Sequence, residues 1–114
     1  MSDSIFTKII KREIPASIVY EDEEIIAFND ISPQAPIHIV IVTKEQIETL
    51  NDLNSDNAYL IGKIALAAKQ IAKDNGIDKS GYRLIMNCND DGGQTVFHLH
   101  CHILGGKKLS WNPA

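Results

Sequence analysis

Residues 95–104 read Thr95-Val96-Phe97-His98-Leu99-His100-Cys101-His102-Ile103-Leu104. On a β-strand, successive side chains point to opposite faces. A strand over this stretch puts Phe97, Leu99, Cys101 and Ile103 on one face, a core face by composition. His98, His100 and His102 share the other face. An apolar core has no use for three imidazoles in a row, so this face is the candidate site.

Histidine rows suggest either metal binding or nucleophilic and acid–base chemistry. Zinc holds nitrogen ligands at about 2.0–2.1 Å, so the ligand atoms must lie roughly 3–4 Å apart. Strand positions i and i+4 are separated by about 14 Å. His98 and His102 would therefore have to lean strongly inward to share an ion with His100. Two of the three could chelate with a ligand from elsewhere, such as His38, Asp30, Asp90 or Asp91, but no second cluster completes such a site. Phosphorus chemistry suits the row better. A neutral imidazole is a good nucleophile near neutral pH, and its neighbours can donate hydrogen bonds to phosphate oxygens or a leaving group. The preceding Asp91-Gly92-Gly93-Gln94-Thr95 strengthens this reading, since consecutive glycine amides can approach and cradle an anion.

Residues 82–88 read as a strand joined to 95–104 by the turn-rich Asn89-Asp90-Asp91-Gly92-Gly93-Gln94, a hairpin. Residues 17–21 and 24–29 read as strands around an acidic turn, and 38–42 as a buried, β-branched strand. Asp30-Ile31-Ser32-Pro33-Gln34-Ala35-Pro36 is a proline-rich loop. Ser4 can cap a first helix whose Ile5, Phe6, Ile9 and Ile10 share a face, with Pro15 ending it. Thr43 and Gln46 match a capping box opening a short helix to about Leu50. Ser55 is placed to cap the longest helix, which stops at Gly76. Its apolar set (Leu60, Ile61, Ile64, Ala65, Leu66, Ala68, Ile71, Ala72) is wider than one stripe. Either a second copy covers part of it or the helix lies deep in the core. Too few connections are long enough for parallel crossovers, so the pattern predicts an α+β fold with an antiparallel sheet.

The length of 114 residues implies a single domain, and 44% hydrophobic with 23% charged residues is a globular composition. A formal net charge of −4 argues against non-specific nucleic-acid binding. No apolar run approaches the roughly 18 residues that would span a membrane. No secretory leader is evident, so a cytoplasmic protein is expected. Cys88 and Cys101 make no disulfide framework and read as reduced, packed thiols.

His98-Leu99-His100-Cys101-His102-Ile103-Leu104 resembles the histidine triad (HIT) signature, His-φ-His-φ-His-φφ with φ apolar. The resemblance extends along nearly the whole chain. Ile5–Ala16, the Asp30–Pro36 loop, Asp91–Gly106 and the Trp111-Asn112-Pro113 tail are all similar to the histidine triad nucleotide-binding protein branch. It implies one HIT domain over 1–114, with a five-stranded antiparallel sheet, one long and one short helix, and a sheet extended across a homodimer. The implied activity is hydrolysis of purine nucleoside phosphoramidates through a covalent nucleotidyl–histidine, without cofactor or metal. AMP or GMP is then the product. The resemblance makes His100 the nucleophile and gives His102 the phosphate and leaving group. It has His98 orient the nucleophile and His38 support it. It assigns Asp30 to the ribose hydroxyls, Ile31, Phe28, Ile5 and Phe6 to the base, and Asn87, Gly93, Gln94, Thr95 and Val96 to phosphate and ribose.

Three positions are distinctive. Thr95 stands where many relatives carry serine, keeping the hydroxyl. Cys88 sits at the pocket edge. Histidine at 102, where related nucleotidyl transferases tend to carry glutamine, favours hydrolysis over transfer. Phosphoramidate hydrolysis thus competes with two other readings: a purine nucleotide- or partner-binding module with little catalysis, and a zinc hydrolase. Trp111 either covers a neighbouring site or packs on the surface.

Overall fold

The computed structural model describes residues 3–112. Helix α1 (Ile5–Ile10) precedes strands β1 (Ile18–Glu21), β2 (Ile25–Asn29) and β3 (Ile37–Thr43). A 3₁₀ turn (Leu50–Asp52), helix α2 (Tyr59–Asp74), β4 (Tyr82–Ile85) and β5 (His100–Gly105) follow. The five strands form one sheet in the order β1-β2-β3-β5-β4, and every pairing is antiparallel. This is the expected α+β arrangement.

The period of two divides the sheet chemically. Ile25, Ala27, Ile39, Ile41, Cys101 and Ile103 pack with Ile64, Ala67, Ala68 and Ile71 of α2. Ile26, Phe28, Val40 and Val42 face the other way, against Ile9 of α1 with Phe6 and Ile10 beside it. Both faces of β2 and β3 are therefore covered, which explains their uninterrupted apolar runs. Each fully buried isoleucine contributes about 1.5–3 kcal/mol of transfer free energy. His100 and His102 fall opposite Val42 and Val40 in the register, and so on the α1 side.

Several boundaries differ from the sequence expectations. Helix α1 ends at Ile10, well before Pro15. Arg12 takes a left-handed φ of 62°, and the amides of Arg12 and Glu13 return to the carbonyls of Ile9 and Lys8. This closure belongs to a left-handed cap, here formed without glycine. Thr43 ends β3 rather than opening a helix. The capping box is instead Thr49 with Asp52, at the 3₁₀ turn. The chain enters α2 through a turn in which Asn54, not Ser55, accepts the amides of Asp56 and Asn57. At its other end Gly76 adopts φ +70°, as the sequence suggests.

Helix α2 is not buried all round: Leu66 is 68% exposed while Leu60, Ile64 and Ile71 are buried. Tyr82 and Leu84 of the edge strand β4 are also exposed. Among the described residues, no helix is long and apolar enough to cross a membrane. Cys88 and Cys101 are both free thiols. Burial raises the Cys101 thiol to about 11, which makes it inert. Pro113 lies outside the described residues.

Candidate active site

β5 starts at His100, not at residue 95, and β4 stops at Ile85. The intervening segment 86–99 is thus longer than a hairpin turn. Bends over 96–98 break the alternation, so Phe97 is exposed instead of lying on the core face with Leu99. Leu99 packs with Ile47 and Leu60. The segment is folded on itself by Gly93 N–H to the Asp90 carbonyl and Gln94 N–H to the Asn89 carbonyl. A Cβ on Gly92 would lie 2.4 Å from the Cys88 carbonyl oxygen, so the turn admits only glycine there without shifting.

His98, although outside the strand, remains beside the other two. Its Nε2 lies 2.5 Å from the Thr43 carbonyl oxygen, which can only accept, so Nε2 carries the proton. Its bare Nδ1 lies 2.7 Å from Ser4 Oγ. His100 Nδ1 is 2.6 Å from the backbone carbonyl of His98 and must donate. Neutral His100 then holds its lone pair on Nε2. No fully buried side-chain nitrogen or oxygen among the described residues lacks a partner. Nε2 of His100 makes no hydrogen bond within the described residues, so it opens onto accessible space.

A second chain of hydrogen bonds fixes His102. The Gln34 amide donates to His38 Nδ1 at 3.0 Å, so the proton of His38 sits on Nε2. That proton points to His102 Nδ1 at 2.9 Å, leaving His102 with a donating Nε2–H. Asp30 Oδ2 lies 3.4 Å from His38 Nε2. Its Oδ1 accepts the Ser32 amide, so the carboxylate makes an ordinary Asx turn while also facing the histidines. Phe6 meets the site edge-on. Its ring centroid lies 4.9 Å from that of His100 and 5.5 Å from that of Phe28. The His100 and His102 rings are 5.0 Å apart.

Asp30, His38 and His102 offer ligand atoms within 4.8 Å of one another, close enough to raise the question of a metal. The donor set does not suit one. A metal-bound histidine normally donates its other ring N–H to an acceptor. His38 Nδ1 instead receives an N–H from Gln34, so a cation on Nε2 would require an imidazolate. His98 is likewise committed at both nitrogens.

Burial holds His98 and His100 below the ordinary imidazole range. It pushes His102 down to about 4, with the charges of His100 and His38 adding to the effect. A histidine kept neutral by the fold binds fewer protons than the same residue in the unfolded chain. Its contribution to stability is complete above the unfolded value of about 6.5 and is lost as pH falls. Urea midpoints are therefore expected to decline from pH 6.5 towards 4, the His102 window. A midpoint constant across that range would contradict a histidine row held neutral by the fold.

The remaining predicted residues divide. A cleft of about 370 Å³ brings Ile5 together with Thr95 and Val96, alongside Ser4, Gln46 and Phe97. Ile31 projects from the loop, 94% exposed. The side chain of Gln94 is used structurally: its Nε2 donates to the carbonyls of Glu48 and Val96, and its Oε1 accepts the Asn89 amide. Asn87 Nδ2 donates to the Gly92 carbonyl, leaving its Oδ1 free of the turn. Gly93, at φ +79°, lies beside it. The residues that sequence reasoning missed are those fixing the ring protons: Ser4, Thr43 and Gln34. Ser4 signalled only a helix cap, and the other two act through backbone groups, which leave no trace in residue type.

The HIT domain family profile matches residues 11–109. An uncharacterized HIT-like protein of Buchnera aphidicola is 52% identical, over 96% of this chain and 98% of its own. The purine nucleoside phosphoramidase of Escherichia coli K12 is 50% identical, over 94% of this chain and 90% of its own. The solved structure of a HIT family hydrolase from Legionella pneumophila superposes with a TM-score of 0.95. It is 46% identical and covers 98% of this chain and 100% of its own.

Proposed function

Because this chain belongs to the HIT family, we propose that it is a nucleotide hydrolase, and within that class a purine nucleoside phosphoramidase with His100 as nucleophile. One observation carries the reading. The bond from His100 Nδ1 to the His98 carbonyl leaves the Nε2 lone pair unprotonated and accessible. The name of the 50% identical Escherichia coli relative supports the substrate class.

In the first step Nε2 of His100 attacks phosphorus. The P–N bond to the amine breaks, and the amine departs with the bonding pair and takes up a proton from solvent. His102 Nε2–H, fixed by the Gln34–His38 chain, donates to a phosphoryl oxygen or to the departing nitrogen as charge develops there. In the second step water attacks the nucleotidyl–His100. The new P–N bond breaks, releasing a nucleoside monophosphate and neutral His100. The low pKa values keep both rings in the forms these steps use. Asp30 receives the ribose hydroxyls. Phe6, Phe28, Ile5 and Ile31 offer apolar surface to the base, and Asn87, Gly93, Gln94, Thr95 and Val96 line phosphate and ribose, Gln94 through its backbone.

A steady-state panel of purine and pyrimidine 5′-phosphoramidates of one amine tests the reading. Purine substrates should turn over, with kcat/KM at least about tenfold above the pyrimidines, since a larger base buries more area on the aromatic pair. Binding of AMP without turnover of any phosphoramidate would overturn it in favour of a binding module.

A further inference from the structure

Ser4 lies far from the histidine row in sequence, and its hydroxyl has three partners: the Thr7 amide, the Thr7 hydroxyl at 3.2 Å and the His98 ring. Its oxygen accepts the Thr7 amide at 3.0 Å, capping α1. The same oxygen lies 2.7 Å from His98 Nδ1, across 94 residues of chain. The direction of that second bond is determined by its surroundings. His98 Nε2 donates to the Thr43 carbonyl, so Nδ1 of the neutral ring is an acceptor. The nearby Thr7 hydroxyl, 3.4 Å from Nδ1, is directed to Gln46 Oε1 at 3.0 Å. Of the two acceptors open to the Ser4 hydrogen, Thr7 Oγ1 lies at 3.2 Å and His98 Nδ1 at 2.7 Å, so the hydrogen goes to the nearer one, the His98 lone pair.

We propose that Ser4 is a positioning residue for the nucleophile: its hydroxyl donates to His98 Nδ1, and the ring so held keeps the His98 carbonyl aimed at His100 Nδ1. His98 is fully buried and is gripped at both nitrogens, by α1 on one side and the end of β3 on the other. Its backbone carbonyl decides which nitrogen of His100 carries the proton. A loosened His98 ring lets that carbonyl drift, and the unprotonated Nε2 of His100 loses both its aim and its tautomer. Helix α1 thereby becomes part of the catalytic scaffold as well as a wall of the pocket. The role rests on the reading of His100 as nucleophile, but the ring chemistry of His98 can be measured without it.

The test compares Ser4→Ala, Ser4→Asp and Ser4→Thr in the full-length protein. It reads kcat and KM for an adenosine phosphoramidate together with the ring ¹⁵N shifts of His98 and His100. Aspartate caps helices as well as serine does, yet it brings an acceptor, not a donor, to Nδ1. Ser4→Ala and Ser4→Asp should each lower kcat about tenfold with KM within about twofold, and shift the His98 ring nitrogens away from the Nε2–H pattern. Ser4→Thr, which keeps the hydroxyl, should restore both readouts. A Ser4→Asp protein with wild-type kcat and wild-type ring shifts would overturn the proposal and reduce Ser4 to a helix cap. If wild type itself turns over no phosphoramidate, the functional reading fails. The ring shifts still decide the Ser4 contact in that case: unchanged shifts in Ser4→Ala and Ser4→Asp would overturn it.

Discussion

His100→Gly is expected to lower phosphoramidate turnover by about 10⁴-fold or more, the order of loss found when a covalent nucleophile is removed. His100 Nε2 is the one ring nitrogen of the three triad histidines that is both deprotonated and free of a hydrogen bond within the described residues. His98 is committed at both nitrogens, and His102 presents an N–H, so neither can replace it without reversing its hydrogen bonds. The deletion removes a ring that meets Phe6 edge-on but leaves the aromatic pair and Asp30 in place. AMP should therefore still bind by calorimetry, within about tenfold of wild type. Loss of turnover with retained binding identifies a nucleophile, whereas unchanged turnover in the variant would refute the role of His100.

The second large effect is expected for His102→Ala, a loss of about 10²–10⁴-fold for substrates with a basic amine leaving group. His102 contributes a hydrogen-bond donor whose direction is imposed from the Gln34 amide through His38. Its low pKa, about 4, means that it acts as a neutral donor and not as an imidazolium. A neutral donor matters most where negative charge builds up in the transition state. The deficit should fall on kcat and should shrink as the leaving group becomes less basic. Steady-state rates across a series of amines of graded pKa measure this directly. A deficit independent of the leaving group would assign His102 to phosphate binding alone.

The sheet was legible because its chemistry has period two. Leu99, Cys101 and Ile103 fall into the core and His100 and His102 on the opposite face, as alternation requires. Phe97 escaped that rule because bends over 96–98 precede the strand, and the sequence carries no proline or glycine there to announce them. The capping signals were degenerate. Thr43-x-x-Gln46 and Thr49-x-x-Asp52 have the same form, but the β-branched run before Thr43 holds that threonine in β3, and only Thr49 closes the box. The end of α1 was hidden because Arg12 takes a left-handed conformation that usually calls for glycine.

The site was legible as a histidine row and no further. Spacing argues against a metal on the three row histidines, but it cannot show that His38 and Asp30 stand next to His102. That proximity comes from the register of β3 against β5 and from the loop that returns Gln34 to His38. The resemblance supplied those residues by position. The structure adds the physical reason for their order: backbone carbonyls and one amide dictate which nitrogen of each ring carries a proton. Such groups are present at every position, so residue identity does not reveal them.

The proposed activity turns on the covalent step at His100. Rapid mixing of wild-type protein with an adenosine phosphoramidate, quenching in denaturant at alkaline pH, and mass spectrometry of the proteolysed chain test it most directly. The expected result is a peptide heavier by one adenylyl group, with the adduct on His100, formed within the first turnover and absent from His100→Gly. Turnover with no adduct on His100 at any time, or an adduct on His98 or His102 instead, would contradict it.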